Sequence, residues 1–229
     1  MPPNKKKLTK QSKTKKKKWV QILAPKSFNN AVLGQTYVTE PSLVEGKHIT
    51  LNLMTITNDV KKQNINVQFE VTKIDQDKGH TTLKGYRILN SHIKRLVRRE
   101  RSKIDDSFLA RSKDNKIVRF KPLLISRTNA PRSVCTNIRI QAREVLREYS
   151  KTATVDQMFS DLFSGKIQRM MKEKLGKQFP LRVTDVRSLY IETKKKYAHL
   201  QKSKKVEAEP EKETKEVVPP VEKTEPTEQ

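Results

Sequence analysis

Cysteine is almost missing from this 229-residue sequence; Cys135 is the only one. A lone cysteine excludes an internal disulfide and any cysteine zinc cage, and it suits a reducing compartment. Glycine is scarce as well. The six glycines, at 34, 46, 79, 85, 165 and 176, are isolated, so no Gly-rich loop exists to cradle a phosphate, and no G-x-S-x-G nucleophile elbow is present. His48, His80, His92 and His199 stand at no metal-binding spacing, so neither a metal nor another cofactor is expected. Aromatic residues make up 6% of the chain and apolar residues 34%. No run approaches the ~18 apolar residues of a membrane span. The basic start has no signal-peptide core behind it, because Trp19–Ala24 is broken by Gln21 and stopped by Pro25. The class expected is an intracellular, strongly basic protein with no membrane partner and no small-molecule substrate.

Acid is the other shortage. Fifty Lys and Arg face twenty-five Asp and Glu, a formal charge of +25. Residues 1–18 hold nine lysines and no acid, whereas residues 206–229 hold eight Glu, three Lys and four Pro. Neither segment can bury enough apolar surface to offset its ordering entropy, so both are expected to be disordered tails. Without the acidic tail, residues 1–205 carry +30. A compact body with that charge repels itself unless a polyanion neutralises it. Cations run through every segment rather than along one amphipathic helix, and no lipidation motif is present, which favours nucleic acid over an anionic membrane.

Between the tails the hydrophobic period changes once. Ile49, Leu51 and Leu53 alternate with polar residues, as do Ile65, Val67, Phe69 and Val71. Period two marks strands with one buried face. Residues 65–89 read as a hairpin turning at Asp77-Lys78-Gly79, and Asn58–Lys62 as a loop. Ser91–Val97 reads as a short helix capped by Ser91. Ile104, Phe108 and Ala110 suggest strand, Asp114-Asn115 a turn, and 117–127 a further strand. About six strands are expected in 19–127, enough to close a small barrel.

Residues 131–176 follow helical spacing. Val134, Ile138, Ala142, Val145 and Tyr149 predict a helix over 131–149. Thr154 to Gln157 forms a capping box, followed by the stripe Val155, Met158, Phe159, Leu162 and Phe163, which Gly165 can end. Ile167, Met170, Met171 and Leu175 repeat the pattern up to Gly176, and 179–191 returns to strand. These stripes read as core. The expected fold class is α+β: a mostly antiparallel, barrel-like β body with helices packed on it in the C-terminal third. The expected organisation is a basic tail (1–18), one domain (19–200) and a Glu/Pro/Lys-rich tail (201–229).

The cations cluster. Arg139, Arg143 and Arg147 fall at i, i+4 and i+8 on one helix face, a ladder on which each guanidinium fork can bond two phosphate oxygens. Pairing with Glu144 and Glu148 is the competing reading. A second cluster comprises Lys94, Arg95, Arg98, Arg99, Arg101 and Lys103, and a third Arg119, Lys121, Arg127 and Arg132. Lys13, Lys15, Lys16, Lys17, Lys18 and Trp19 at the start, with Arg182 and Arg187 near the end, complete the candidate RNA-binding set. With few aromatics, base stacking is expected to be minor and binding to run through backbone and shape. Asp105-Asp106, the one adjacent acid pair outside the linkers, reads as a partner for nearby arginines rather than as acid–base machinery; no enzyme is expected.

Several segments carry a resemblance. Lys18-Trp19, Ala24-Pro25-Lys26-Ser27-Phe28, Gly34-Gln35-Thr36, Leu83-Lys84-Gly85-Tyr86-Arg87-Ile88, Arg101-Ser102-Lys103-Ile104-Asp105-Asp106, Arg119-Phe120-Lys121-Pro122-Leu123 and Phe179 to Arg187 occur in that order. Over about 16–192 the sequence resembles the eS-one family of small-subunit ribosomal proteins (older name S-three-a), in its archaeal form. The resemblance implies a structural constituent of the small ribosomal subunit that supports translation in cytoplasmic ribosomes. It would sit on the platform near the mRNA exit, with rRNA and neighbouring platform proteins as partners and mRNA as a further candidate. The family has no catalytic residues to carry over. Composition alone also admits a non-ribosomal RNA- or DNA-binding regulator or a chromatin protein.

Overall fold

A computed structural model describes residues 16–75 and 77–192. The acidic tail and the basic tail up to residue 15, with Lys13 and Lys15, lie outside the described residues.

The chain enters as an antiparallel ribbon of β1 (Lys18–Leu23) and β2 (Val32–Val38). β3 (His48–Asn52) leads directly into a one-turn helix α1 (Leu53–Thr57). Asn52 caps this helix through Oδ1, which accepts from the Met54 N–H at 2.9 Å, and Asn58 ends it at φ 55°. The pattern Ile49, Leu51, Leu53 thus spans a strand and a helix start, because Leu53 keeps pointing inward after the backbone turns. A further short 3₁₀ turn at 60–62 completes what the sequence marks as loop.

β4 (Ile65–Asp75) and β5 (Lys78–Ile88) form the long central hairpin. Its turn falls one step earlier than Asp77-Lys78-Gly79 predicts. Lys78 already pairs with Asp75, and Gly79 lies in the strand, where a Cβ would meet the Val71 side chain at 3.5 Å. Gly85, farther along β5, faces Tyr190 across the sheet; a Cβ there would stand 2.3 Å from the ring. Only glycine lets that aromatic ring close over the strand.

α2 (Asn90–Leu96) begins at the end of β5. Ser91 does not cap it; Leu89 occupies that position with no side-chain bond, since the helix starts as soon as the strand ends. β6 (Lys103–Asp105) and β7 (Phe108–Arg111) both pair with β8 (Ile117–Ser126). Their registers are continuous, so the two are one strand with a break. The pairings Asp105–Leu123 and Phe108–Phe120 put Asp106 opposite Pro122. A proline has no N–H to offer the ladder, and pairing lapses there.

α3 (Arg132–Thr152) runs three residues beyond the predicted end at 149. α4 (Val155–Phe163) opens with the expected capping box, Thr154 with Gln157. Gly165 then takes φ 76° and turns the chain into α5 (Lys166–Gly176). β9 (Leu181–Glu192) returns between β5 and β8.

The architecture is α+β, with helices α3 to α5 following the strands as expected. Eight strands, rather than six, precede residue 127, because β2 and the split of β6 from β7 carry weak alternation. The nine strands of the described residues belong to one mostly antiparallel sheet, in which β1 runs parallel to the start of β5. The ladders branch at β5, leaving β2, β3 and the β6–β7 strand as their ends. The main core lies between the sheet and helices α3 to α5. Phe120 and Leu124 of β8 meet Ile138 and Leu146 of α3, Met158 and Phe159 of α4, and Met171 of α5 there. The methionine and phenylalanine stripes are therefore core, except for Met170, which is only half-buried and lines a surface depression. Residues 122–126 of β8 are buried without interruption, as expected of a strand covered on both faces. Burying Leu123, Leu124 and Ile125 contributes about 1.5–3 kcal/mol each. A smaller cluster under the β1–β2 ribbon contains Val20, Ile22, Val38, Val44 and Val71.

Candidate nucleic-acid interface

The break opposite Pro122 aims Asp106 at α3. Asp106 is 9% exposed and takes a two-pronged bond from Arg143, whose Nε donates to Oδ2 and whose Nη2 donates to Oδ1 at 2.8 Å. These bonds, and the nearby Arg139 charge, hold the Asp106 carboxyl below the usual carboxylate range against the opposing effect of burial. One turn along α3, the Arg147 guanidinium lies 5.7 Å from the centre of the Phe108 ring on β7. The arginine row therefore faces the β6–β7 strand, with Arg143 held by Asp106 and Arg147 laid over Phe108. In the competing reading the row pairs with Glu144 and Glu148; Glu148 stands 3.6 Å from Lys174 of α5.

Asp105 gathers a second set. Lys103 pairs with it, and Arg187 of β9 lies 4.0 Å away. Lys121 lines the same depression as Asp105, Asp106 and Arg187. Lys103, Lys121, Arg139, Arg143 and Arg187 thus surround two carboxylates. The acids pair with three of these cations without neutralising the set, and the corner stays positive. Arg139 Nε and Arg101 Nη1 are buried with no hydrogen-bond partner among the described residues. A buried donor left unpaired is costly.

Two serines tie the segment that ends the second sequence cluster to the one that carries Arg127 and Arg132. Ser126 Oγ accepts from the Ser102 N–H at 2.9 Å, and Ser102 Oγ accepts from the Ala130 N–H at 2.9 Å while donating to Asn129 Oδ1 at 2.8 Å. Exposed Arg98 and Arg99 lead into Ser102, and exposed Arg127 and Arg132 flank Ala130. Arg119, half-buried, lies on β8 beyond Lys121. Lys94 and Arg95 are exposed on α2, where Arg95 donates to Asn64 at 3.1 Å. Arg182 is exposed on β9. Lys16, Lys17, Lys18 and Trp19 belong instead to the β1–β2 ribbon, where all four are exposed. Sequence reasoning placed the acid pair beside Arg98, Arg99 and Arg101; the structure gives it to Arg143, Arg187 and Lys103. Pro122 was the available signal, since it predicts a gap in the opposite strand. Cys135 is half-buried, with its thiol 3.8 Å from the Ala130 carbonyl.

Among the described residues no three His, Cys, Asp or Glu side chains approach closely enough to hold a metal, and no helix is long and apolar enough to cross a membrane.

The sequence model of the Ribosomal S3Ae family matches residues 5–195. The chain belongs to that family. Its S3Ae relatives include the small ribosomal subunit protein eS1 of Nanoarchaeum equitans, 33% identical over 80% of this chain and 92% of the relative. The protein of the same name from Desulfurococcus amylolyticus is 30% identical over 76% of this chain and 82% of its own length. That from Haloarcula marismortui is 25% identical over 80% and 85%. These archaeal relatives agree with the resemblance read from the sequence. The S3Ae match spans every element from β1 to β9, and so includes the whole cationic corner.

Proposed function

We propose that this chain is a structural constituent of the small ribosomal subunit, where it binds rRNA and supports translation by holding that RNA in place. Its action is architectural rather than catalytic. Its seat is the platform near the mRNA exit, against neighbouring ribosomal proteins and within reach of mRNA, in cytoplasmic ribosomes; this placement rests on the family. The observation that carries the rRNA reading is the corner where Asp105 and Asp106 pair with Lys103, Arg143 and Arg187, with Lys121 and Arg139 close by, so that five cations on α3, β6, β8 and β9 surround two acids. Arginines oriented in this way present donors to phosphates at fixed spacing, with less rotamer freedom left to lose on binding. The elements they stand on are packed into the core, so the spacing is set before RNA arrives.

Fractionation of a cell lysate on a sucrose gradient tests the proposal. The chain is expected in the small-subunit peak at one copy per particle. Its absence from purified small subunits overturns the proposal, and residence with nucleic acid outside the ribosomal fractions supports a free regulator or chromatin protein instead.

A further inference from the structure

The β1–β2 ribbon carries a second kind of surface. Inward positions Val20 and Ile22 fill the core beneath it, so Trp19 and Gln21 face outward. The register pairs Trp19 with Tyr37 and Gln21 with Gln35. Trp19 is 61% exposed and Tyr37 52%, their ring centres are 4.9 Å apart, and Lys17 Nζ stands 5.6 Å from the centre of the Tyr37 ring. Two large aromatic rings left this open contribute little to folding. The strands around them contain no acid, and Lys16, Lys17 and Lys18 precede them.

We propose that the outward face of the β1–β2 ribbon binds an unpaired stretch of single-stranded RNA. A base stacks on the Trp19–Tyr37 pair, Gln21 and Gln35 offer amide donors and acceptors to base edges, and the three lysines hold the adjoining phosphates. The combination of open π-faces, cations and amides on one strand pair is what single-stranded nucleic acid requires. Duplex RNA keeps its bases stacked inside and cannot use the rings. A lipid surface would leave the paired glutamines without a role. This inference deepens the rRNA-binding reading and rests on it.

Trp19 is the only tryptophan, so the emission of the full chain reports directly on the site. A short oligoadenylate is expected to quench it, whereas inorganic polyphosphate of matched charge binds without comparable quenching. Trp19→Ala should weaken oligoadenylate binding roughly 5- to 150-fold with the salt dependence unchanged, and Trp19→Phe should restore most of the affinity. Tyr37→Ala, which keeps the reporter, should reduce the quenching. Both side chains are exposed, so circular dichroism should show the variants folded. Oligoadenylate binding that leaves the emission unchanged overturns the inference, as does a Trp19→Ala variant that binds with wild-type affinity. Quenching by another small-subunit protein but not by RNA overturns it too and gives the face to a protein neighbour. A chain that binds neither oligoadenylate, polyphosphate nor rRNA takes the broader reading down as well, a result distinct from the loss of stacking alone.

Discussion

The α3 corner and the β1–β2 ribbon are both basic, and they hold their charge in opposite ways. At the corner, arginines stand on packed elements and are tied to Asp106 or laid over Phe108, so their positions belong to the fold. On the ribbon, lysines sit beside exposed aromatics, with the core filled from the other face. Arginine is planar and bonds through two prongs, which suits a fixed template; lysine is a mobile point charge, which suits a strand that must adjust to its RNA. The difference teaches that one net charge can sit in two structural settings. The corner's charges belong to the packing of α3 on the β6–β7 strand, while the outward side chains of the ribbon lie off the core.

Removing the anchor tests this most severely. Asp106→Ala frees Arg143 and loosens α3 from the β6–β7 strand. Because Arg143 is 39% exposed, part of the loss is recovered by solvent, and the expected cost is about 1–3 kcal/mol in urea unfolding. Unchanged stability would mean that the pair is incidental.

The pH dependence sharpens the contrast by its sign. The Asp106 carboxyl is held below its ordinary value mainly by its bonds from Arg143. Its contribution is therefore present above the unfolded value, about 4, and is lost as the pH falls through the lower folded value. An Asp106→Asn deficit should accordingly fade in acid. Asp185 on β9 behaves in the opposite sense: burial raises its carboxyl, with His92 acting weakly against that. Its ionisation costs stability above the raised value, so Asp185→Asn should stabilise the chain at neutral pH. That gain should vanish below about pH 4, where the acid is protonated in both states. Denaturant unfolding across a pH series checks both signs.

The smallest effect on folding is expected at the ribbon. Replacing Lys16, Lys17 and Lys18 together by Gln should change stability by less than about 0.5 kcal/mol. The same variant should make the slope of log K against log salt shallower by about 2–3 in rRNA binding. A large loss of stability would erase the distinction between the two regions.

Much of the fold could be read in advance because its signals are local. The capping box at Thr154, the left-handed Gly165 and the buried stripe from Met158 to Leu175 each follow from a few neighbouring residues. What escaped depends on register. Asp106 meets Arg143 across 37 positions because a proline on a third segment opens the strand between them. Trp19 was a visible candidate, but Tyr37 becomes its partner only through the pairing of β1 with β2. The expectation that stacking is minor rests on a count of aromatics, which does not show that two of them share one exposed face, and the Trp19 and Tyr37 variants test it.

The central claim is that this basic body is tolerable because RNA phosphate neutralises it in its working state. Equilibrium binding of the full chain to small-subunit rRNA over a salt series tests it most directly. If about eight phosphates are neutralised, log K should fall against log salt with a slope of roughly −6 to −7. A slope near zero, or no measurable binding at low salt, would contradict it.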